Sequence, residues 1–390
     1  MILLITCFPW DSAQGGALIM RNNLQHLKEE EVYWFALSRP SGKVPFSPGN
    51  VKYEFRSPPA RGNVRLRLGR FWRWYQRKIW SLQIANLLAR RICKLHPRLI
   101  WLVADYGLAP VALRLLPKLK RYRLHTSFHD SPKPTAAREG YSKAFLNELD
   151  VFLTALNESD FTADAVSEEL LIYCARSARC NAIVTLPVNR SRCSPKFAEP
   201  RSEGILEIGF SGNFLGEEEL ACFIAGLRLW EKKSGRNWKI TAVGRPDLAQ
   251  FDRRVDAYGP MPAEKTHQVL RSSDLLLLPS PIDRPEMRTN MPTKLVTYLE
   301  LGRMIFTFAP ADSSTARVLN EARLGPVISG REPEAVAEAL QRIEHWDFDA
   351  AAKGWHQLVT TRFDETRIAR DLMSCLFMDP KHEVAAATER

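Results

Sequence analysis

The sequence predicts an α/β fold built from two consecutive Rossmann-like parallel-sheet domains. Three observations lead there. Short apolar runs alternate with helical patterns through the first half; the alternation restarts at Ile205 after a polar, proline-bearing stretch; and Ser273–Phe308 forms a complete βαβ unit. At 390 residues the chain is too long for one ordinary core and fits two domains of about 200 residues each.

In the first domain Ile2–Phe8 is a buried strand, and Gly15-Gly16 opens a helix reaching about Lys28. Strands follow at Val32–Leu37 and Val51–Phe55, then a long helix over Val64–Leu95. Leu99–Val103 and Tyr122–Phe128 are strands with a short helix between them, and Ser142–Leu156 is helical. The run from Thr162 to Ala178 reads as a short strand and a helix, leading to a strand at Ala182–Leu186. Residues 1–193 make the first domain. The stretch 194–204, polar with two prolines, reads as a linker.

The second domain, 205–354, opens with a strand at Ile205–Phe210, the loop Gly212–Gly216, and a helix placing Leu220, Phe223, Ile224 and Leu227 on one face. Trp238–Val243 and Val255–Tyr258 are strands. Leu275–Leu278 is a strand stopped by Pro279, and a polar loop runs through Asn290. A helix enters through Met291-Pro292-Thr293 and ends at Gly302; Met304–Phe308 is a buried strand. No hairpin fits this spacing, so the strands are parallel. Pro333–Ile343 is an amphipathic helix, Trp355–Met378 is the last one, and 379–390 is a tail prone to fraying.

Composition narrows the function classes. No run approaches the ~20 apolar residues a membrane span needs, and MILLITCFPW is too short and uncharged for a signal peptide. Seven cysteines, scattered and without CxxC spacing, argue against a metal site or disulfide framework and for a reducing cytoplasm. The net charge of +11 is uneven: Phe55–Ala104 holds twelve Lys or Arg and no acid. Such a segment points to an anionic partner. On an ideal helical wheel Leu68, Phe71, Trp72, Tyr75, Ile79 and Leu82 form one stripe, expected to pack on the sheet. Arg70, Arg73 and Arg77 lie opposite, flanked by Trp74 and Trp80. Arginines beside tryptophans suit the headgroup region of an anionic membrane, at about 1 kcal/mol per basic residue. The same face also reads as an ordinary solvated one. Nucleic acid has no recognition motif here beyond charge and is not expected as a partner.

In parallel sheets, chemistry gathers where loops leave the carboxyl ends of strands and phosphates meet free helix N–H groups. Gly15 and Gly16 sit in such a loop, either as a tight turn or as a close approach to a ligand. His129-Asp130 ends a central strand; the histidine reads as a buried structural residue or as a site group, with Asp130 available to orient it.

The sequence PTKLVTYLELG, following a strand that ends in Pro-Ser, resembles the nucleotide-sugar half of GT-B glycosyltransferases, retaining family-four members above all. The resemblance extends over residues 1 to about 378. It implies two domains facing each other across a cleft, with the last helix, 355–378, crossing back to the first. It implies a transferase, retaining and metal-independent, without a cofactor, that uses a nucleotide-diphosphate sugar, UDP-sugars foremost. The acceptor would be lipid-linked or a cell-envelope glycan, and the protein would sit peripherally on the inner membrane face.

Carried over residue by residue, His129 touches the transferred sugar, and Gly15-Gly16 faces the diphosphate. Gly212 and Asn213 belong to the donor loop, Gly259 and Met261 to the base-reading turn, and Met291, Thr293 and Lys294 to the helix entry. The chain departs from the family in two places. GNFLGEEEL lacks the Arg and Lys that neutralise phosphate, leaving Arg245 and Lys294 as substitutes, each equally readable as an exposed cation. The ribose-binding Glu is Thr297, and Thr289 stands at its paired position, with Glu286 nearby as a replacement. A scaffold with a degenerate site, or a nucleotide-sugar epimerase, are the alternatives.

Overall fold

The computed structural model describes residues 1–12, 15–40, 49–58, 69–212 and 216–377, with the side chains of 69, 70 and 73 excepted. Asn213, the side chains of Arg70 and Arg73, residues 64–68 of the expected long helix, and the tail lie outside the described residues.

The chain divides into two units, Met1–Thr185 with the chain from Ala369 onward, and Leu186–Ile368. The first holds seven strands: β1 (Ile2–Thr6), β2 (Val32–Ala36), β3 (Val51–Phe55), β4 (Leu99–Val103), β5 (Arg123–Phe128), β6 (Thr162–Ala165) and β7 (Asn181–Ile183). Every ladder is parallel and the spatial order is β3-β2-β1-β4-β5-β6-β7. The strand order reverses between β1 and β4, whose residues are all buried. Uninterrupted Leu/Ile/Val runs of this kind require cover on both faces, which is why these strands are central.

The second unit repeats the plan with β8 (Leu206–Ser211), β9 (Trp238–Val243), β10 (Val255–Tyr258), β11 (Leu275–Pro279), β12 (Met304–Phe308) and β13 (Val327–Ile328). Their order is β10-β9-β8-β11-β12-β13, again all parallel, with the reversal between β8 and β11. Each reversal leaves a crevice at the carboxyl ends of the two diverging strands. Tyr298 locks the second one: its hydroxyl donates to the Leu277 carbonyl at 2.9 Å and accepts from the Ser211 amide at 3.0 Å.

Three expectations are corrected. Residues 194–204 are not a free linker but part of the second unit: Ser194 N–H donates to Glu300 O at 2.7 Å, Ala198 bridges to Arg303, and Phe197 is buried beside Trp355. One apolar side chain and two backbone ties outweigh the polar composition. The last helix is broken. Phe348–Gln357 runs into a π turn, Leu358–Arg362, and a new helix, Glu365–Phe377, starts after Asp364 accepts the Arg367 amide at 3.0 Å. The break is tied down by Val188 N–H to Phe363 O at 3.0 Å. Within the first unit, the end of that helix gives Arg123 the Leu376 carbonyl at 3.2 Å and lays Phe377 under Arg98 at 4.6 Å.

The third correction concerns the basic helix. A π turn at Gln76–Trp80 separates Gly69–Tyr75 from Ser81–Leu95. The extra residue in that turn rotates the upstream face relative to the downstream one, so a single wheel fails. The buried positions are Ile84, Ala85, Leu88 and Ile92. Phe71, Trp74, Ile79 and Leu82 are instead 57%, 49%, 38% and 49% exposed. Arg77 is drawn inward: Nη2 and Nε meet Glu148 Oε2 at 2.6 and 2.9 Å, and the guanidinium lies 4.9 Å over Phe145. Trp80 is half-buried.

Candidate functional site

At the first reversal, β1 leads toward the helix Gly15–Gln25, and His129 follows directly on β5. The two meet directly. A Cβ on Gly16 would stand 2.8 Å from His129 Nδ1 and 3.3 Å from Phe8 Cε1, so only glycine leaves room for the imidazole. The ring stacks on Phe8, with centroids 6.4 Å apart, and is buried. Among the described residues neither ring nitrogen has a hydrogen-bond partner. Burial lowers the His129 pKa to about 4, with Asp164 pulling the other way. The ring is therefore neutral at pH 7, presenting one N–H donor and one bare acceptor. Unsatisfied buried polar atoms are costly, and in a strand-end crevice they mark a place where a ligand completes the bonding. Asp130 is exposed and makes no hydrogen bond to the imidazole, so the expected orienting role is overturned.

Beneath this crevice runs a buried polar chain. Trp101 Nε1 donates to Ser127 Oγ at 2.7 Å, Ser127 to Asp164 Oδ2 at 2.5 Å, and His125 Nε2 lies 2.7 Å from the same oxygen. Cys7 and Asp105, which no sequence pattern singles out, follow β1 and β4 on either side of the reversal. The Asp105 carboxylate accepts the Gly107 amide at 2.5 Å and the Cys7 thiol. Burial pushes the Cys7 thiol well up, reinforced by Asp105, and raises the Asp105 carboxyl. Next to Asp105 an aromatic row follows, Tyr106 on Tyr141 at 5.4 Å and Tyr141 on Phe145 at 4.6 Å.

At the second reversal the structure brings together three of the expected donor residues. Gly212 ends β8 with φ of +88°, and a Cβ there would meet Lys294 Cε at 3.0 Å. Gly244, after β9, has φ of +107° and would put a Cβ 3.2 Å from the Gly212 backbone. Both turns thus need glycine, to let two loops and a lysine stem share the space. Lys294 begins the helix Lys294–Leu301 and sets Nζ 4.8 Å from the Phe210 ring. Burial and then the nearby Arg245 cation lower its pKa to about 8. Arg245 is held by Asp247, Nε to Oδ1 at 2.7 Å, and faces Glu217 at 3.5 Å. The Asp247 and Glu217 carboxylates raise the Arg245 pKa, so the unrelieved cation is Lys294, and a desolvated lysine beside a helix N-terminus suits an anion.

The remaining expected residues are more dispersed. Thr297, one helical turn on from Lys294, shares its face. Thr293 is the N-cap residue and Met291 is buried. Glu286 is buried in the turn Pro285–Arg288, where its carbonyl takes the Thr289 and Asn290 amides at 3.3 and 3.1 Å. Gly259 and Met261 follow β10, the outer strand, and a Cβ on Gly259 would meet open space. Glu217, Glu218 and Glu219 put three acids in the first turn of the helix after β8, and part of that charge is compensated. Arg331, missed in the sequence, lies 2.6 Å from buried Glu219, 3.0 Å from Glu218 and 3.1 Å from Asp283. Among the described residues no group of three or more His, Cys, Asp or Glu could hold a metal, and no helix is long and apolar enough to cross a membrane.

Two parallel sheets of seven and six strands, each with a reversal at its centre, make this chain a GT-B fold. Solved structures of that class align over almost its whole length. The trehalose-6-phosphate synthase OtsA is 14% identical with a TM-score of 0.64, covering 97% of this chain and 99% of its own. The lipopolysaccharide outer core galactosyltransferase WaaB is 14% identical at 0.63, with 97% and 99% covered. HepE of Anabaena, solved with UDP and glucose, is 14% identical at 0.63, with 96% and 98% covered. No protein-family profile matches the chain, and no curated protein does.

Proposed function

We propose that the protein is a glycosyltransferase that moves a sugar from a nucleotide-diphosphate sugar, a UDP-sugar foremost, to a lipid-linked or cell-envelope glycan. The observation that carries this reading is the convergence of Lys294, Arg245 and Gly212 at the second strand reversal. Lys294 and the N-terminal end of its helix hold the diphosphate and stabilise it as it leaves, with Arg245 adding charge. Neutral His129 bonds a hydroxyl of the transferred sugar through its open nitrogens, and the Tyr106–Tyr141 row offers an apolar face for the acceptor. Thr297 takes the ribose, and no metal or cofactor takes part. The neighbours OtsA, WaaB and HepE support the class of chemistry; retention rests on the resemblance of the helix-entry motif.

The test is a thermal-shift titration with UDP, GDP, ADP and dTDP, since a ligand specific for the native state raises its melting temperature. One nucleotide, UDP, is expected to stabilise clearly. No shift with any of them would sink the transferase reading in favour of a scaffold.

We further propose peripheral attachment to the inner membrane face through the exposed row Phe71, Trp74, Ile79 and Leu82, with Lys78 beside it. This replaces an arginine face with an apolar one. Sedimentation with anionic vesicles should pull down the wild type, and Phe71→Ser with Trp74→Ser should weaken binding by about 10²-fold or more, as the loss of two buried aromatic side chains at roughly 1.5–3 kcal/mol each implies. Wild type left in the supernatant at low salt refutes attachment.

A further inference from the structure

We propose that a cavity at the amino ends of β11 and β12 binds a small phosphate-bearing molecule, at a site separate from the donor crevice. It is lined by Arg192, Ser194, Pro195, Arg271, Glu300 and Arg303, with Leu301 at its wall, and has a volume of about 310 Å³. That is the lower end of small-ligand sites and the size of a sugar phosphate rather than a nucleotide sugar. Arg271 precedes β11, and Arg303 precedes β12, whereas Lys294 and Gly212 lie beyond the opposite strand ends. A five-residue strand separates the two places by roughly 15 Å.

The charges in this cavity are not balanced by the protein. Three arginines face one carboxylate, Glu300, and both of its oxygens are already committed. Oε2 lies 2.8 Å from His267 Nε2, and Oε1 accepts the Asn189 amide at 2.7 Å. Asp274, the acid that attracts Arg303, is taken by Arg201 through two bonds of 2.9 Å. Arg303 spends one nitrogen on the Arg271 carbonyl at 2.7 Å, and its Nε is buried without a partner. Among the described residues neither Arg271 nor Arg303 forms an ion pair, and Arg192 reaches only Glu264 at 3.7 Å. Burial and the Arg201 and Arg271 cations lower the Arg303 pKa against the pull of Asp274. Clustered guanidiniums with a buried, open N–H are relieved by an oxyanion, and the planar fork favours phosphate or carboxylate, bound through paired bonds. The three arginines favour the doubly charged phosphomonoester.

The site also has mechanical consequences. Ser194 and Pro195 come from the chain that follows the unit boundary at Leu186. Glu300 and Leu301 end the helix that Lys294 begins. A bound phosphate therefore fastens that segment to the far end of the donor helix.

Calorimetric titration of the full chain with inorganic phosphate and glycerol 3-phosphate, at constant ionic strength in chloride, tests this. One saturable event is expected, weakened at least tenfold by Arg192→Gln with Arg271→Gln and kept by Lys294→Met. Arg303→Lys, which keeps charge but loses the fork, should weaken it as well. Vesicles containing phosphatidic acid, run in parallel, distinguish a lipid headgroup from a free phosphomonoester by whether the arginine variants lose retention. Absence of saturable binding, or binding that Lys294→Met removes and the arginine variants keep, overturns the proposal. UDP stabilisation, measured on the same variants, should be unchanged by Arg192→Gln with Arg271→Gln, which separates failure of this site from failure of the donor site.

Discussion

Lys294→Met is expected to weaken UDP binding by about 10²- to 10³-fold while raising the melting temperature of the unliganded protein. The first effect follows from removing a partly desolvated cation from a diphosphate, a charge-assisted contact worth roughly 2–4 kcal/mol. The second follows from the depressed pKa, 10.5 to about 8. The folded state holds this proton less tightly than the unfolded chain, so the penalty of keeping it charged is fully present below about pH 8. Between about pH 8 and 10.5 the unfolded chain binds more protons, and stability rises with pH across that window. Methionine fills the same stem without the charge. Discounted for the partial exposure of the lysine and its contact with Phe210, the relief is on the order of 1 kcal/mol, or about 2–4 °C. UDP affinity of the wild type should also fall above about pH 8, as Lys294 loses its charge, and the variant should lack that dependence. Calorimetry with UDP at pH 7 and 9, beside thermal melts, checks all three. A variant that binds UDP as the wild type does removes Lys294 from the donor site.

His129→Ala should lower kcat by about 10²–10³ without loss of UDP stabilisation, because the charges proposed to hold the phosphates are those of Lys294 and Arg245, not the imidazole. Gly16→Ala is the sharper variant. Its new methyl group would stand 2.8 Å from Nδ1, too close for the ring to stay where it is. Displacing a positioning group by about 1 Å costs about 10²-fold in rate, so the loss should fall in kcat with the donor KM little changed. A pH signature accompanies it. The folded-state pKa of about 4 lies below the ordinary 6.5, so the wild type loses stability as pH falls through that interval. His129→Gln removes that part of the acid sensitivity, seen as a flatter melting temperature between pH 6.5 and 4. Full activity in both His129→Ala and Gly16→Ala eliminates the imidazole from the chemistry.

The strands were legible because a strand buried on both faces must be a continuous apolar run, as in Ile2–Thr6 and Leu275–Leu278. The donor helix was legible for a related reason: Gly302 with φ of +60° ends it, and the Pro292-Thr293 entry starts it. Lys294 and Arg245 were named as substitutes for the missing phosphate cations, and the structure brings their charges together at Gly212.

What escaped depends on contacts between distant residues. Arg331 meets Glu219 across 112 positions, and Tyr298 bonds two strands that no local pattern joins. Cys7 and Asp105 become neighbours only because β1 and β4 are adjacent across the reversal. The basic helix failed for a different reason. A wheel assumes one pitch, and five residues at Gln76–Trp80 take another, which turned Phe71 and Leu82 outward and Arg77 inward. The linker at 194–204 was read from prolines and charges, while Phe197 alone was enough to seat it.

Under the proposed function, cleavage of a nucleotide sugar needs both Lys294 and His129. The most direct measurement is release of nucleoside diphosphate from a panel of nucleotide sugars, with a membrane glycolipid extract as acceptor, for the wild type, Lys294→Met and His129→Ala. Release from one UDP-sugar that depends on the extract, and is lost in both variants, is the predicted result. No release from any sugar nucleotide, or release equal in all three proteins, contradicts it.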